Sequence, residues 1–301
     1  MVKKNKCRGY LFEKKGYIRF HCHNCEADLK FDDFLKDVNS FVYQQYKDEK
    51  IKEWKFNNKS RKKYDDTEYQ PRKINSSEQF KALNTLDKLP SNHPAKQLVI
   101  ARKIPQKFWN KLFYTPEFKT WVNTIIPNKF ENVTFDEERI VIPFYYHDKL
   151  IAFQGRAVNT KNEVRYITIV LDETEPTVFG LDQANLNDPV YCFEGPIDAM
   201  FISNSIATAG GDLVNRLGKI DRRNIKIIYD NEPRSKETKL KMLRAIKDGF
   251  SVCIWPNNIK DKDVNRMVIS GIDPKHIKFI IDKNLHSGYS GELLIKQWSK
   301  A

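Results

Sequence analysis

Three apolar runs in the C-terminal part of the chain each lead into acidic residues. VYCF is followed by Glu194 and, one helical turn later, by Asp198; NIKIIY by Asp230 and Glu232; SVCIWPNNIK by Asp261 and Asp263. Carboxylates brought together repel unless a cation neutralises them, and hard oxygen donors suit Mg²⁺ or Mn²⁺. A single acid in such a place is ordinarily a surface residue or a helix cap. Asp263, just ahead of a run that starts at Val264, fits a cap by itself. Glu194, Asp230 and Glu232, at corresponding positions after separate runs, are the strongest candidates for metal ligation and catalysis.

A second constellation is His21-Cys22-His23-Asn24-Cys25. A Cys-x-x-Cys pair supplies half of a four-ligand zinc site. Residues 7 to 22 read as a hairpin, with CRGYLFE and YIRFHC alternating around Lys14, Lys15 and Gly16. With Lys14 and Lys15 as the turn, Glu13 pairs with Gly16 and Cys7 lies across from Cys22. Cys7 is then a third candidate ligand, but His21 and His23 alternate to the face opposite Cys22, and the set falls short of four.

The acids can act together only if the fold gathers them. From Pro189 strand and helix patterns alternate: VYCFE, then PIDAMFIS as helix, SIATAGG as strand and turn, DLVNRLGKI as helix, NIKIIYD as strand. KETKLKMLRAIKDG follows as a helix closed by Gly249, then SVCIW and IKFII as strands around a helix at VNRMVISG. This alternation predicts a parallel sheet with right-handed crossovers, whose strand ends open on one edge, so six carboxylates should meet in one cleft. Upstream, residues 78 to 126 read as short helices: EQFKALNTL, HPAKQLVIARK with Pro94 in its first turn, PQKFWNKLF and PEFKTWVNTII. RIVIPFYY, LIAFQGRAV and VRYITIV, with a polar turn at His147, Asp148 and Lys149, predict an antiparallel meander. A helix over 31 to 46, with Phe34, Val38, Phe41 and Val42 on one face, precedes a basic, tyrosine-containing linker. The fold class is α+β followed by α/β, in four parts: 1–35, 36–77, 78–188 and 189–301.

With 52 Lys+Arg against 39 Asp+Glu, the net charge of +13 favours a polyanionic partner. A hydrophobic content of 40% excludes a disordered chain. No run approaches the ~18 apolar residues of a membrane helix, and MVKKNKCRGY lacks the apolar core of a signal peptide, so a cytoplasmic location is expected. The five cysteines form no regular disulfide framework, and Cys192 and Cys253 sit inside apolar runs as core residues.

FEGPIDAM followed by YDNEPRSKE resembles the Toprim signature, in which a Glu after one strand and an Asp-x-Asp/Glu after a later one hold catalytic magnesium. RIVIPFYYHDKLIAFQGRAV, VRYITI and VFGLDQA resemble, in the same order, the basic half of the catalytic core of bacterial and phage DNA primases, the T-even-like phage enzymes above all. The similarity covers roughly residues 7 to 270. It implies RNA primer synthesis on single-stranded DNA during replication, by Mg²⁺-dependent nucleotidyl transfer, with ribonucleoside triphosphates as substrates and a replicative helicase as partner. It makes Glu194, Asp230 and Glu232 the catalytic metal ligands, with Asp198, Asp261 and Asp263 holding a second ion or orienting its waters. Arg139, Arg156, Arg165 and Tyr166 become nucleotide or template contacts. Many relatives carry a Lys shortly before FGL, whereas Glu175, Pro176, Thr177 and Val178 precede Phe179 here.

The resemblance extends to a zinc ribbon built from two Cys-x-x-Cys knuckles and a hairpin. Only the second knuckle, Cys22 and Cys25, is present. The four parts then become a partial zinc ribbon (1–35), a basic helix and linker (36–77), the basic subdomain of the core (78–188) and a Toprim domain (189–301). The missing knuckle implies an internal start at Met1 or a truncated protein, and leaves Zn²⁺ without a full ligand set. Two other readings stay open. A Toprim nuclease would use the same acids, but has no evident use for the block from FQGR to FGLD. A non-catalytic DNA-binding adaptor would not need Glu194, Asp230 and Glu232. A topoisomerase would need strand-gating domains for which 301 residues leave no room. Lys236, Lys239, Lys241 and Arg244 fit either a nucleic-acid track or a solvated helix face.

Overall fold

The structure is a computed structural model that describes residues 9–14, 17–22, 28–38, 42–43, 46–47, 80–159, 161, 164–209, 213, 217 and 224–301. The chain divides into two units, Met1–Lys73 and Ile74–Ala301.

In the first unit β1 (Gly9–Lys14), β2 (Tyr17–Cys22) and β3 (Asp28–Lys30) form an antiparallel sheet in that order, followed by α1 (Phe31–Val38). Gly9 lies opposite Cys22 and Lys14 opposite Tyr17, a slip of two residues from the expected pairing of Cys7 with Cys22. Lys14, expected in the turn, is paired with Tyr17 instead, and Lys15 and Gly16 lie outside the described residues. Phe20 stacks on Phe34 with ring centroids 4.2 Å apart. No residue of α1 is fully buried and Val38 is 66% exposed, so the expected apolar face is only partly covered. Cys7, His23, Cys25, Phe41 and the linker from 48 to 77 lie outside the described residues.

The second unit holds two five-stranded sheets. The first runs β4 (Asn84–Thr85), β5 (Phe113–Thr115), β6 (Arg139–Tyr146), β7 (Lys149–Ala157) and β8 (Tyr166–Val170), antiparallel throughout, with α2 (Pro94–Ala101) and α3 (Phe118–Ile125) between its early strands. β6, β7 and β8 follow the predicted meander. His147 and Asp148 take left-handed φ values of 49° and 58° in the tight turn, and both their N–H groups donate to the Asp182 carboxylate. Two expected helices are shortened or changed. Of EQFKALNTL, Phe80 and Lys81 are helical, after which the chain turns into β4 and a 3₁₀ turn at Leu86–Lys88, and PQKFWNKLF gives a 3₁₀ helix at Gln106–Lys111 that leads to β5. Leu86 donates its N–H to the Leu112 carbonyl at 2.9 Å and both side chains are buried, so long-range pairing overrides a helical pattern too short to stand alone.

The second sheet has β9 (Val190–Phe193), β10 (Ser205–Ala207), β11 (Ile225–Ile228), β12 (Ser251–Cys253) and β13 (Leu285–His286), in the order β10-β9-β11-β12-β13. The first four are parallel, as expected, and β13 is antiparallel. Among the described residues its continuous helices are α4 (Pro196–Ala199), α5 (Lys236–Lys247), α6 (Val264–Ile269), α7 (Pro274–Lys283) and α8 (Gly288–Trp298); of the expected helix DLVNRLGKI, Leu213 and Leu217 are helical and the rest lies outside the described residues. IKFII, expected as a strand, lies inside α7. Asp273 caps that helix by accepting from the Lys275 N–H at 2.7 Å, Pro274 sits in its first turn, and Ile277 and Ile281, four apart, are both fully buried.

The two sheets of this unit share a core. Val141, Phe153 and Ile169 pack with Phe118 and Val122 of α3 on one face of the meander. On its other face Ile140, Ile142 and Phe144 join Phe193, Met200, Ile228, Trp255 and Met267 from the parallel half. Val190, Cys192 and Ile227 point the opposite way, against Met242 and Ile246 of α5 and Ile295 and Trp298 of α8. Covering both faces explains why β9 is apolar without alternation. Cys192 and Cys253 are fully buried, which raises both thiols and leaves them as inert core residues. Among the described residues no helix is long and apolar enough to cross a membrane.

Candidate active site

Parallel strands place their following loops on one edge, and five of the six expected carboxylates share one electrostatic field there. Burial pushes Asp230 up to about 7, with Glu194, Asp263 and Glu232 adding to the rise and Lys262 opposing it. Burial likewise pushes Asp198 up to about 8, reinforced by Asp263 and Asp230. The Asn265 N–H, 2.8 Å from Asp198 Oδ1, and Arg102 pull the other way. Glu194 is raised by burial and by Glu232, against the charges of Lys241 and Lys262. Asp263 also caps α6, accepting from the Arg266 N–H at 2.7 Å. Asp261 has another partner: its Oδ1 accepts from the Ser270 hydroxyl at 2.9 Å. Among the described residues no three acids, His or Cys close around a common point as an ion would require. A lysine lies between two of the acids instead, with Lys262 Nζ 2.8 Å from Glu232 Oε1 and 3.6 Å from Asp230 Oδ2.

The meander contributes positive charge to the same place. Arg156, on β7, is 2% exposed, and its guanidinium lies 4.8 Å from the Tyr166 ring centroid. Nη1 donates to the Arg165 carbonyl at 3.4 Å, whereas the buried Nε has no partner. Burial depresses its pKa, with Arg102, Arg165 and Arg139 adding repulsion. Tyr166 is raised by burial and feels Arg156 and Arg102 from one side and Asp198 and Asp263 from the other, so it stands where the basic and acidic edges meet. Arg165 is exposed.

Arg139 departs from expectation. It is fully buried, its guanidinium lies over the Phe118 ring, and each of its N–H groups has an internal acceptor: Glu137, the Gly155 and Arg165 carbonyls, and the Val164 carbonyl. No donor is left for a template, and its place is in the scaffold. Gly155 of the FQGR stretch makes room for it: a Cβ there would sit 2.4 Å from the Phe118 ring and 3.0 Å from Arg139 Cδ.

This arrangement sits in a chain that is 32% identical, over 300 residues, to the DNA primase of Enterobacteria phage T4, covering 98% of this chain and 86% of that protein. The chain belongs to the DNA primase family. The primase fold is also similar to the crystal structure of the zinc binding and RNA polymerase domains of Aquifex aeolicus primase. There the TM-score is 0.50 and the identity 17%, covering 94% of this chain and 79% of that one. No family model matches the chain.

Five polar residues of this primase, Arg102, Lys103, Asn231, Lys262 and Asn265, support the cleft without having been singled out in the sequence. Asn265, 2% exposed, accepts from Arg102 Nη1 at 2.8 Å and donates to the Arg102 carbonyl at 2.7 Å, while its own N–H holds Asp198. Lys103 donates to the Val268 carbonyl at 3.1 Å, near the C-terminus of α6, where a cation suits the helix dipole. A cation pair at the end of α2 looks in sequence like ordinary capping, which hides Arg102. Asn231 ties two strand-end loops together: its N–H donates to the Lys262 carbonyl at 2.6 Å, and its side chain to the Ile259 and Asp261 carbonyls, both at 3.1 Å. The available signal was position, since Asn231 and Lys262 each stand between two acids. On α5, the partly buried Lys241 pairs with Glu237 and also acts on Glu194, while the exposed Arg244 pairs with Asp248 one turn on.

Proposed function

We propose that this primase makes RNA primers on single-stranded DNA from ribonucleoside triphosphates, with the parallel-sheet half acting as a Toprim domain and Glu194, Asp230 and Glu232 holding Mg²⁺ or Mn²⁺. The observation that carries this reading is the mutual repulsion of Glu194, Asp230, Glu232 and Asp263 in a half-buried cleft faced by Arg156 and Tyr166. The donor set fits a hard divalent cation in kind: several carboxylate oxygens, an excess of negative charge, and protonation favoured where a metal would relieve it. When bound, the ion would make a ribose 3′-hydroxyl more nucleophilic and neutralise charge on the departing pyrophosphate.

The chain's own groups do the rest. Asp198, fixed by the Asn265 N–H, adds to the field around the ion. Arg156, with an unpartnered Nε, and Arg102 supply positive charge toward phosphate, and Tyr166, 41% exposed, offers a face for a base to stack on. Arg165 is a further template contact. Cys22 and Cys25, with Cys7, belong to a partial zinc ribbon, and a replicative helicase is the expected partner in the cytoplasm.

The test is incubation with single-stranded DNA, Mg²⁺ and ribonucleotides, beside Asp230→Asn. Template-dependent oligoribonucleotides that vanish in the variant are expected. Metal-dependent DNA cleavage without synthesis would make the protein a nuclease, and binding alone would make it an adaptor.

A further inference from the structure

Lys262 is the cation already present among the acids of the cleft. Its Nζ lies 2.8 Å from Glu232 Oε1 and 3.6 Å from Asp230 Oδ2, two of the three residues assigned to the metal, yet its side chain is 56% exposed. Its backbone, by contrast, lies in a loop that is tied at its carbonyl and at the residues around it. Asn231 N–H bonds its carbonyl, the Asn231 amide bonds the carbonyls of Ile259 and Asp261, Asp261 is tied to Ser270, and Asp263 caps α6. A pinned backbone that carries a long, half-solvated arm lets the ammonium leave without moving the loop. A lysine is suited to this because its head is a compact charge on a flexible stem, without the planar fork that locks an arginine to a carboxylate.

We propose that Lys262 is a tethered counter-ion that occupies the Asp230–Glu232 side of the cleft in the metal-free protein and must be displaced when a divalent ion binds. This rests on the reading that Glu194, Asp230 and Glu232 hold metal. Its consequence is that this chain weakens its own metal affinity: the ion has to outcompete an internal ammonium, and the acids stay paired until it arrives. The exposed geometry limits the effect, since solvent screens ion pairs of this kind.

The experiment measures Mn²⁺ binding alone, without nucleotide or template, by titration calorimetry and by electron paramagnetic resonance of free Mn²⁺. The site counted is the one lost in Asp230→Asn. Lys262→Met is expected to bind Mn²⁺ about two- to fivefold tighter than the wild-type chain, and Lys262→Arg, whose fork holds the carboxylates more firmly, to bind it more weakly. Thermal unfolding supplies the second reading: Lys262→Met should melt lower in chelator and gain more from Mn²⁺ than wild type does. Equal or weaker Mn²⁺ binding by Lys262→Met overturns the counter-ion while leaving the metal reading intact. Absence of any site sensitive to Asp230→Asn overturns the metal reading itself, and the counter-ion with it.

Discussion

Arg139 and the strand-end acids are both charged groups withdrawn from water, and the fold treats them in opposite ways. Arg139, on β6, is buried with every donor satisfied, so its removal from water is compensated inside the protein. In the cleft, Asp198 and Asp230 are lifted to about 8 and about 7 by burial and mutual repulsion, and one strand from Arg139 the Arg156 Nε lacks a partner. Unpaired buried charge is expensive, by several kcal/mol per ion in general, and a fold keeps it where something from outside completes it. Satisfied charge therefore marks scaffold and frustrated charge marks the site, even when the two are neighbours in one motif.

The largest effect that this contrast predicts is on catalysis. Glu194→Gln should lower primer synthesis by roughly 10³-fold or more, through lost metal ligation, while its melting temperature in chelator stays level or rises because a repelled carboxylate has gone. Primer yield and thermal unfolding measured on one preparation check both halves. A variant that simply unfolds would place Glu194 with the scaffold and erase the distinction.

Next is the arginine pair. Arg139→Met should destabilise the protein by roughly 1–3 kcal/mol, since it takes the donor from the Gly155 carbonyl and the ion-pair partner from the partly exposed Glu137. Arg156→Met should cost about 1 kcal/mol or less, having fewer bonds to lose, and should weaken primer synthesis roughly 10- to 100-fold. Urea unfolding and steady-state synthesis of the two variants compare them directly, and exchanged phenotypes would reverse the assignment.

The acids also give the cleft a pH signature. A carboxyl whose folded-state pKa lies above its unfolded value binds more protons in the folded state, so the stability it contributes is greatest at low pH and declines as pH rises. With Asp230 near 7 and Asp198 near 8 against an ordinary value of 3.8, their part of the stability should fall between about pH 4 and pH 8 in chelator. Mg²⁺ should flatten that decline, and Asp198→Asn should remove much of it. Melting temperatures at intervals across the range, with and without Mg²⁺, test the sign; a rise with pH in chelator would show that the acids are paired rather than frustrated.

How much of this was legible beforehand depended on the range of the interaction. RIVIPFYY could be read as β6 because a continuous run of β-branched and aromatic residues bounded by a polar turn carries its own signal, and the acids could be read because each follows an apolar run. IKFII could not, since five apolar residues fit a buried strand or a buried helix face, and the choice falls to Asp273 and Pro274 just upstream. Arg102 and Asn265 were invisible because their bonds span 163 positions, and no local pattern announces a contact of that kind. Arg139 and Arg156 have similar sequence settings, and only the count of internal acceptors separates them.

The smallest predicted effects lie at the edge of the cleft and separate Asp261 from Asp263. Asp261 bonds Ser270, so Asp261→Asn, which keeps an acceptor, should change primer synthesis by less than about twofold and stability by less than about 0.5 kcal/mol. Asp263→Asn also keeps the cap of α6, but removes a charge that reaches Asp198 and Asp230, and should therefore lower activity more than stability. Asp263→Ala adds the loss of the cap, about 1 kcal/mol. If Asp263→Asn is as silent as Asp261→Asn, the frustrated set shrinks to Glu194, Asp198, Asp230 and Glu232, and Asp263 joins Arg139 as scaffold.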